Sequence, residues 1–305
     1  MLPRRRYNDS VELSVIGFGG LVVSQMEQPA ANTLVAKAFE RGVNYFDVAP
    51  TYGDAEDRLG PALEPFRKNA FLACKTICRD GAAATAQIES SLARLRTDHF
   101  DLYQFHAVNT AAEVAQITAQ GGALEAVLHA RQQGKVRFVG FSSHAAQGAM
   151  AMMQAARFDS MLFPVNAACQ AAGFGMTQED GVTAVATSAT GCGAGDGASA
   201  GCDVVKIARA GGLAVIALKA LAKAARPKGT KGQYRKCWYD PLDDPAEMRQ
   251  AMRFALGHDI TSLIPPGNEV LFERALGLAD DLTPLSDVER QGLMERSRQV
   301  TPLFQ

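Results

Sequence analysis

Residues 43–53 read VNYFDVAPTYG and combine an apolar run with an acid and a phenol. The apolar run at residues 44–48 predicts a short buried strand, which a proline and a glycine end. Asp47 falls at the carboxyl end of this strand, and Tyr52 falls in the loop that follows it. A carboxylate and a phenol brought together where a strand ends indicate proton chemistry.

Short apolar runs alternate with helical runs along the chain, and eight strands are predicted, most of them followed by a helix. Their ranges are 15–20, 44–48, 71–76, 101–106, 136–143, 160–166, 212–221 and 259–267. Asn8, Asp9 and Ser10 predict the turn of an N-terminal β-hairpin between two short alternating runs, and Ser286 with Glu289 is typical of the start of a final helix. The pattern favours a single α/β domain over residues 1–305. That domain is predicted to be a TIM (β/α)8 barrel with an N-terminal hairpin and a C-terminal helix, rather than an open doubly wound sheet.

Polar side chains follow the predicted strands at the end where a barrel places its functional residues. These residues are Asp47, Lys75, His106, Ser142 and Asn166. A lysine ammonium favours a neighbouring phenolate and so lowers the pKa of the phenol, while an aspartate keeps that lysine charged. A neutral histidine can hold a carbonyl oxygen. Tyr52, Lys75, Asp47 and His106 therefore supply the parts that reduction of a carbonyl group by a nicotinamide requires.

Three runs of the sequence, FDVAPTYG, LACKT and DLYQFH, resemble those of the aldo-keto reductases. The resemblance extends from the hairpin to about residue 280, apart from one segment. It implies a catalytic tetrad of Asp47, Tyr52, Lys75 and His106, with Tyr52 as the general acid. It also implies reduction of an aldehyde or ketone to the alcohol, with the hydride supplied by NAD(P)H bound across the mouth of the barrel.

The cofactor contacts are predicted partly from glycines at a strand end, which allow close approach of a ligand, and partly from the resemblance. The residues are Gly19, Gly20, Asp47, Ser142, Ser143, Asn166, Leu218, Lys219, Pro266 and Gly267. The resemblance implies that Ser142, Ser143 and Asn166 hold the nicotinamide amide. Leu218 stands where many members of the family have a tyrosine that stacks on the nicotinamide ring. Lys219 either approaches the cofactor pyrophosphate or faces solvent.

The choice between NADP(H) and NAD(H) stays open, although the resemblance favours NADP(H). In the family that the chain resembles, basic residues after the last strand usually bind the 2′-phosphate of NADP(H), whereas the nearest basic residue to that stretch here is Arg274. Trp238 and Tyr239 lie in the loop after the seventh strand, where they either line a substrate pocket or clamp the loop.

Residues 176–201 depart most from the family pattern, because their second half consists almost entirely of small and polar residues. A flexible insertion near the barrel mouth is the favoured interpretation. A Rossmann-like phosphate loop would require glycines where Asp196 and Ala198 stand, which argues against it. A sequence artefact that replaces a shorter loop is a third interpretation.

The composition predicts a cytoplasmic protein that acts on a small molecule. The net charge of −1 favours neither nucleic acid nor an anionic membrane, and no apolar run is long enough to span a bilayer. The six cysteines lack the spacing of a metal site and are expected to be reduced thiols. Two other functions are considered: a cofactor-binding regulatory or sensor protein on the same barrel, and a Schiff-base lyase that uses Lys75.

Overall fold

Parallel strands form one curved sheet in the computed structural model, which describes residues 1–177, 202–227 and 229–304. The strands of this sheet are β3 (Phe18–Gly19), β4 (Tyr45–Asp47), β5 (Phe71–Thr76), β6 (Phe100–Phe105), β7 (Val136–Ser142), β8 (Ser160–Pro164), β11 (Ala214–Leu218) and β14 (Ser262–Leu263). Their order in the sheet is β14-β11-β8-β7-β6-β5-β4-β3. A parallel bridge between Ile16 and Leu263 joins the two edges, so the sheet closes on itself.

Helices surround the sheet, and most of them pack an apolar side on its outer face to form the larger core, whereas the last one buries only Ser297. They are α1 (Gln28–Glu40), α2 (Ala55–Leu63), α3 (Gly81–Arg94), α4 (Ala111–Thr118), α5 (Ala123–Gln132), α6 (Ala146–Ala155), α7 (Ala167–Ala171), α8 (Val204–Ala210), α9 (Pro245–Leu256), α10 (Glu269–Gly277) and α11 (Asp287–Ser297). The (β/α)8 barrel prediction is confirmed. None of the helices in the described stretches is long and apolar enough to cross a membrane.

The N-terminal hairpin closes the amino-terminal end of the barrel. Its strands β1 (Arg4–Asn8) and β2 (Val11–Ser14) pair in antiparallel fashion, as the sequence predicts. Tyr7 is buried among the side chains that point into the barrel, and its hydroxyl lies 3.1 Å from Ser160 Oγ. Because this end is filled, the cavity opens at the opposite end, where the strands finish.

Besides the hairpin, two small antiparallel pairs in the described residues lie outside the barrel sheet. The strands β9 (Met176–Thr177) and β10 (Cys202–Asp203) pair with each other, as do β12 (Ala222–Ala224) and β13 (Asp240–Pro241). Residues 178–201 fall outside the described residues, and they include nearly all of the predicted insertion.

Several predicted boundaries differ from the observed ones. The helix predicted over residues 55–66 ends at Leu63 and continues as a 3₁₀ helix, Glu64–Asn69, because Pro65 has no backbone N–H for an α-helical hydrogen bond. Helix α4 is missing from the prediction, although Thr110 and Glu113 form a capping box that marks its start. The final helix begins at the predicted capping box of Ser286 and Glu289.

Candidate active site

A cavity of about 360 Å³ lies at the carboxyl ends of the barrel strands. The predicted residues that line it are Gly19, Asp47, Tyr52, Lys75, His106, Ser142, Leu218, Lys219, Trp238, Tyr239 and Gly267. Four predicted residues do not line it, namely Gly20, Ser143, Asn166 and Pro266. The cavity is also lined by residues that the sequence prediction missed: Leu21, Thr51, His144, Leu162, Lys236, Cys237, Ile264 and Pro265.

Asp47 and Lys75 form a buried ion pair at the base of this cavity. Strand β4 pairs with β5 so that Asp47 lies opposite Ala73, which places Lys75 one pleat further along the same face. Lys75 Nζ donates to Asp47 Oδ1, and Asp47 Oδ2 accepts from Tyr45 Oη at 2.9 Å and from Gln104 Nε2 at 3.0 Å. Asp47 is 2% exposed and Lys75 is 1% exposed.

The pair keeps Lys75 charged. Burial lowers the pKa of Lys75, but the neighbouring Asp47 carboxylate and Tyr52 oxygen outweigh burial, and the pKa lies above its usual value. A permanently charged ammonium is a poor nucleophile, so the pairing with Asp47 weighs against the Schiff-base interpretation.

The Tyr52 ring lies beside both Lys75 and His106. Lys75 Nζ lies 5.5 Å from the centroid of the Tyr52 ring, and the His106 ring stands almost perpendicular to it at a centroid separation of 5.9 Å. Burial raises the pKa of Tyr52, and Lys75 opposes that rise without cancelling it. Lys75 thus shifts the pKa of Tyr52 in the predicted direction, but removal of water from the phenolate is the larger effect, so the pKa lies above its usual value.

His106 is neutral at ordinary pH. Burial, followed by the positive charge of Lys75, lowers the pKa of His106 to about 3. Thr51 Oγ1 lies 3.5 Å from His106 Nδ1, and the backbone N–H of His106 donates to the Thr76 carbonyl at 2.8 Å. The histidine is therefore fixed in the strand end and presents an uncharged ring to the cavity.

The serines predicted to hold the cofactor amide make local hydrogen bonds. Ser142 Oγ accepts from the backbone N–H of Ala107 at 2.8 Å while it also borders the cavity. Ser143 Oγ donates to the carbonyl of Ala145 at 2.8 Å, and the residue is fully buried.

Asn166 forms a junction between β8 and the chain beyond β11. Its Oδ1 accepts from Ala168 N at 2.9 Å and so caps α7. Its Nδ2 donates to the carbonyls of Lys219 at 3.1 Å and Ala222 at 2.6 Å. The amide oxygen and the amide nitrogen of Asn166 are thus both hydrogen-bonded to backbone groups. These bonds fix the segment that carries Lys219.

Aromatic residues from the loop after β11 cover one side of the cavity. Tyr239 is buried, whereas Trp238 is 57% exposed and packs near Phe304 of the C-terminal segment at a ring separation of 6.3 Å. Lys219 Nζ lies 4.9 Å from the Tyr239 ring centroid and 5.4 Å from that of Trp238. Both aromatic residues line the cavity and also pack against each other in the loop. That the cavity they line receives the substrate stays a prediction.

Two glycines let the chain segments at the cavity mouth approach closely. A Cβ atom on Gly19 would lie 2.8 Å from Ile264 Cγ2, and one on Gly267 would lie 2.6 Å from Leu21 Cδ2. Neither position has room for a side chain without movement of its neighbour.

Two basic residues near the last strand, Arg274 and Lys236, differ in whether they reach the cavity. Arg274 Nη1 donates to the Asp243 carbonyl, so its guanidinium is held by the loop after β11. Lys236 instead borders the cavity, and its Nζ donates to the Val22 carbonyl at 2.6 Å and to Glu269 Oε2 at 3.1 Å. Sequence spacing gave no sign of Lys236, since it comes from a long loop.

A closed parallel barrel with a polar cavity at the carboxyl ends of its strands is typical of (β/α)8 enzymes. The family model described as "Aldo/keto reductase family" matches residues 15–201. The chain belongs to the aldo/keto reductase family, as the sequence resemblance predicts.

Relatives of the chain are oxidoreductases. It is 29% identical to "Uncharacterized oxidoreductase YqkF" of Bacillus subtilis over 47% of this chain and 49% of that protein. It is 30% identical to "L-galactose dehydrogenase" of Arabidopsis thaliana over 44% of this chain and 46% of that protein. The chain thus spans about half the length of the curated relatives it matches.

The fold is also that of solved structures. The holo form of aldo-keto reductase AKR11C1 from Bacillus halodurans superposes with a TM-score of 0.70 and 19% identity over 99% of both chains. At this identity the likeness establishes the fold. Together with the family match, the relatives support an oxidoreductase.

Proposed function

We propose that the protein reduces an aldehyde or ketone to the alcohol with NAD(P)H, and that Tyr52 donates the proton. The observation that carries this proposal is the meeting of Tyr52, Lys75, Asp47 and His106 in one cavity. These side chains combine a phenol, a buried ammonium that favours its ionised form and a neutral imidazole. Together these groups can donate a proton and hydrogen bonds to a carbonyl oxygen that gains negative charge.

The residues around the cavity fit a nicotinamide cofactor. The close approach at Gly19 and Gly267 leaves backbone rather than side chain at the mouth, and Leu218 offers an aliphatic surface to a flat ring. The bound cofactor would supply the hydride. We propose that Gly19, Ser142, Leu218 and Gly267 form its site, and that Asn166 supports it by fixing the backbone at Lys219. The predicted contacts Gly20, Ser143 and Pro266 do not line the cavity and are left out of this proposal.

In the proposed reaction, His106 orients the carbonyl oxygen by a hydrogen bond from its neutral ring. Tyr52 then gives its proton to that oxygen as negative charge develops there. Lys75 stabilises the phenolate that remains, and Asp47 keeps Lys75 charged and aimed at the phenol. The barrier falls because these charges are fixed before the reaction begins.

A titration with NADPH and NADH, followed by a panel of aldehydes and ketones, tests this function. With cofactor deuterated at the nicotinamide C4 position, we expect deuterium on the carbon of the product alcohol. Tight cofactor binding without turnover over the whole panel would instead favour a sensor. Borohydride trapping of a substrate on Lys75 in the absence of cofactor would favour the lyase.

The pH dependence of kcat/KM is expected to lack an ionisation near pH 6.5 when the substrate is neutral. The reason is that burial lowers the pKa of His106 to about 3 and that of His144 to about 4, so both cavity histidines stay uncharged. Steady-state rates across the pH range provide the measurement. A step near pH 6.5 that disappears in His106→Gln would contradict the assignment of a neutral ring.

Glu269→Gln is expected to shift cofactor preference toward NADPH. In the native protein Glu269 neutralises Lys236, and its own negative charge would repel a 2′-phosphate at the end of the last strand. Removal of that charge should raise the affinity for NADPH relative to NADH by about tenfold, measured from Kd values. The matched control is Glu273→Gln on the same helix, which pairs with Lys37 on the surface. An equal shift in both variants would contradict the role of Glu269.

A further inference from the structure

Lys219 presents a charged amine to the cavity, and the described part of the chain places no carboxylate beside it. The two other lysines of the cavity lining are neutralised, Lys75 by Asp47 and Lys236 by Glu269. Within residues 1–177, 202–227 and 229–304, Lys219 Nζ has no ion-pair partner and contacts the faces of Trp238 and Tyr239. An ammonium held between aromatic rings and lacking a counter-ion is arranged to receive an anion.

The backbone that carries Lys219 is held in an unusual conformation. Lys219 has a φ of 60°, in the left-handed region that side-chain-bearing residues seldom adopt. The Asn166 amide donates to the Lys219 carbonyl and fixes it there. The hydrogen bond from the buried Asn166 amide therefore holds the Lys219 backbone in a strained conformation and sets the direction of its side chain. Backbone strain of this kind is concentrated at functional sites.

The described groups that face Lys219 leave its charge uncompensated. They are Lys75, His106, His144, Cys237 and Tyr239. Both histidines are neutral, Lys75 is already paired, and burial raises the pKa of the Cys237 thiol, so that thiol stays protonated. Burial also lowers the pKa of Lys219 to about 8, which still leaves the amine mostly protonated at neutral pH. Among the residues that the structure describes, the cavity thus has one positive charge without a balancing negative charge.

We propose that Lys219 binds the carboxylate of the carbonyl substrate, so that the enzyme prefers oxo acids and aldehyde acids to neutral carbonyl compounds. This inference rests on the proposed reductase function. A cofactor phosphate has the same charge, but Lys219 Nζ points to the aromatic wall formed by Trp238 and Tyr239. Its charge is also felt by His106, which we expect to hold the carbonyl.

Lys219→Met is expected to separate anionic from neutral substrates. With 4-formylbenzoate, kcat/KM should fall roughly 10–100-fold, mostly through KM, because a charged hydrogen bond is lost. With 4-formylbenzamide, which has nearly the same shape and no charge, kcat/KM should change little. Lys219→Arg keeps the charge and should keep the preference for the acid. Lys223→Met is the matched control, since Lys223 is exposed and pairs with Glu247 outside the cavity.

The single tryptophan gives a binding measurement that does not depend on turnover. Trp238 lies against Lys219, so benzoate added to the cofactor-saturated protein should change its fluorescence in a saturable way. The change should be lost in Lys219→Met and retained in Lys223→Met. Binding should also weaken as the pH rises above about 8, where Lys219 loses its proton.

Several results would overturn the proposal. Equal losses on the acid and the amide would mean that Lys219 has no part in substrate choice. A large rise in the cofactor Kd of Lys219→Met would assign the charge to a cofactor phosphate. If wild-type protein reduced no carbonyl, the proposed function would fail, whereas the benzoate titration would still decide whether Lys219 binds a carboxylate.

Discussion

Tyr52→Phe is expected to lower kcat by roughly 10²–10⁴-fold, the usual contribution of a positioned general acid. The change removes one hydroxyl and leaves the ring, which packs edge-on against His106 at a centroid separation of 5.9 Å. The cavity therefore keeps its shape, and the Kd of the cofactor should stay nearly unchanged. Single-turnover rates with a neutral aldehyde, together with a cofactor titration, give both quantities.

Tyr103→Phe is the matched control for this prediction. Tyr103 is a fully buried tyrosine of β6 that does not line the cavity, so loss of its hydroxyl should leave turnover intact. Wild-type rates in Tyr52→Phe would show that another group provides the proton. A comparable loss in both variants would point to a general effect on the fold.

The site residues that stand at the ends of strands could be predicted from the sequence. Asp47, Lys75 and His106 each terminate an apolar run, and in a parallel barrel those ends converge on one face. The same alternation could have found two further residues. Tyr45 and Gln104 lie two positions before Asp47 and His106, hence on the same side of their strands, and both donate to the Asp47 carboxylate.

The contributions of the loops could not be predicted in this way. Lys236 enters the cavity from the long segment between β12 and β13, where no periodicity fixes the position of a side chain. His144 follows β7 by two residues and is stacked on Phe304, a contact between distant parts of the chain. The pKa of Tyr52 also depends on how much water the folded cavity excludes, which composition does not reveal.

Lys75→Met is expected to reduce both stability and activity, because Asp47 would remain buried without a cation. Loss of one partner of a buried pair costs about 3–5 kcal/mol of unfolding free energy. The hydrogen bonds from Tyr45 and Gln104 would still stabilise the Asp47 carboxylate, which places the expected cost toward the lower part of that range. Denaturant unfolding measures the stability, and single-turnover kinetics measure the loss of the charge beside Tyr52.

Two further variants separate the structural effect from the chemical one. Arg94→Met leaves Glu56 buried without its cation at a site outside the cavity, so it should destabilise the fold while turnover is retained. The double variant Asp47→Asn/Lys75→Met removes both charges and should recover much of the stability but none of the activity. Recovery of activity along with stability would mean that Lys75 serves only to neutralise Asp47.

The pH dependence of stability provides an independent check of the same pair. Since the pKa of Lys75 in the folded protein lies above its usual value of 10.5, the pair contributes its full stabilisation below that pH. This contribution is lost as the pH rises through the folded pKa, because the amine then gives up its proton. Wild-type protein should therefore lose stability in strongly alkaline solution by an increment that the double variant lacks. An identical alkaline profile in both proteins would show that the ammonium of Lys75 is not stabilised by Asp47.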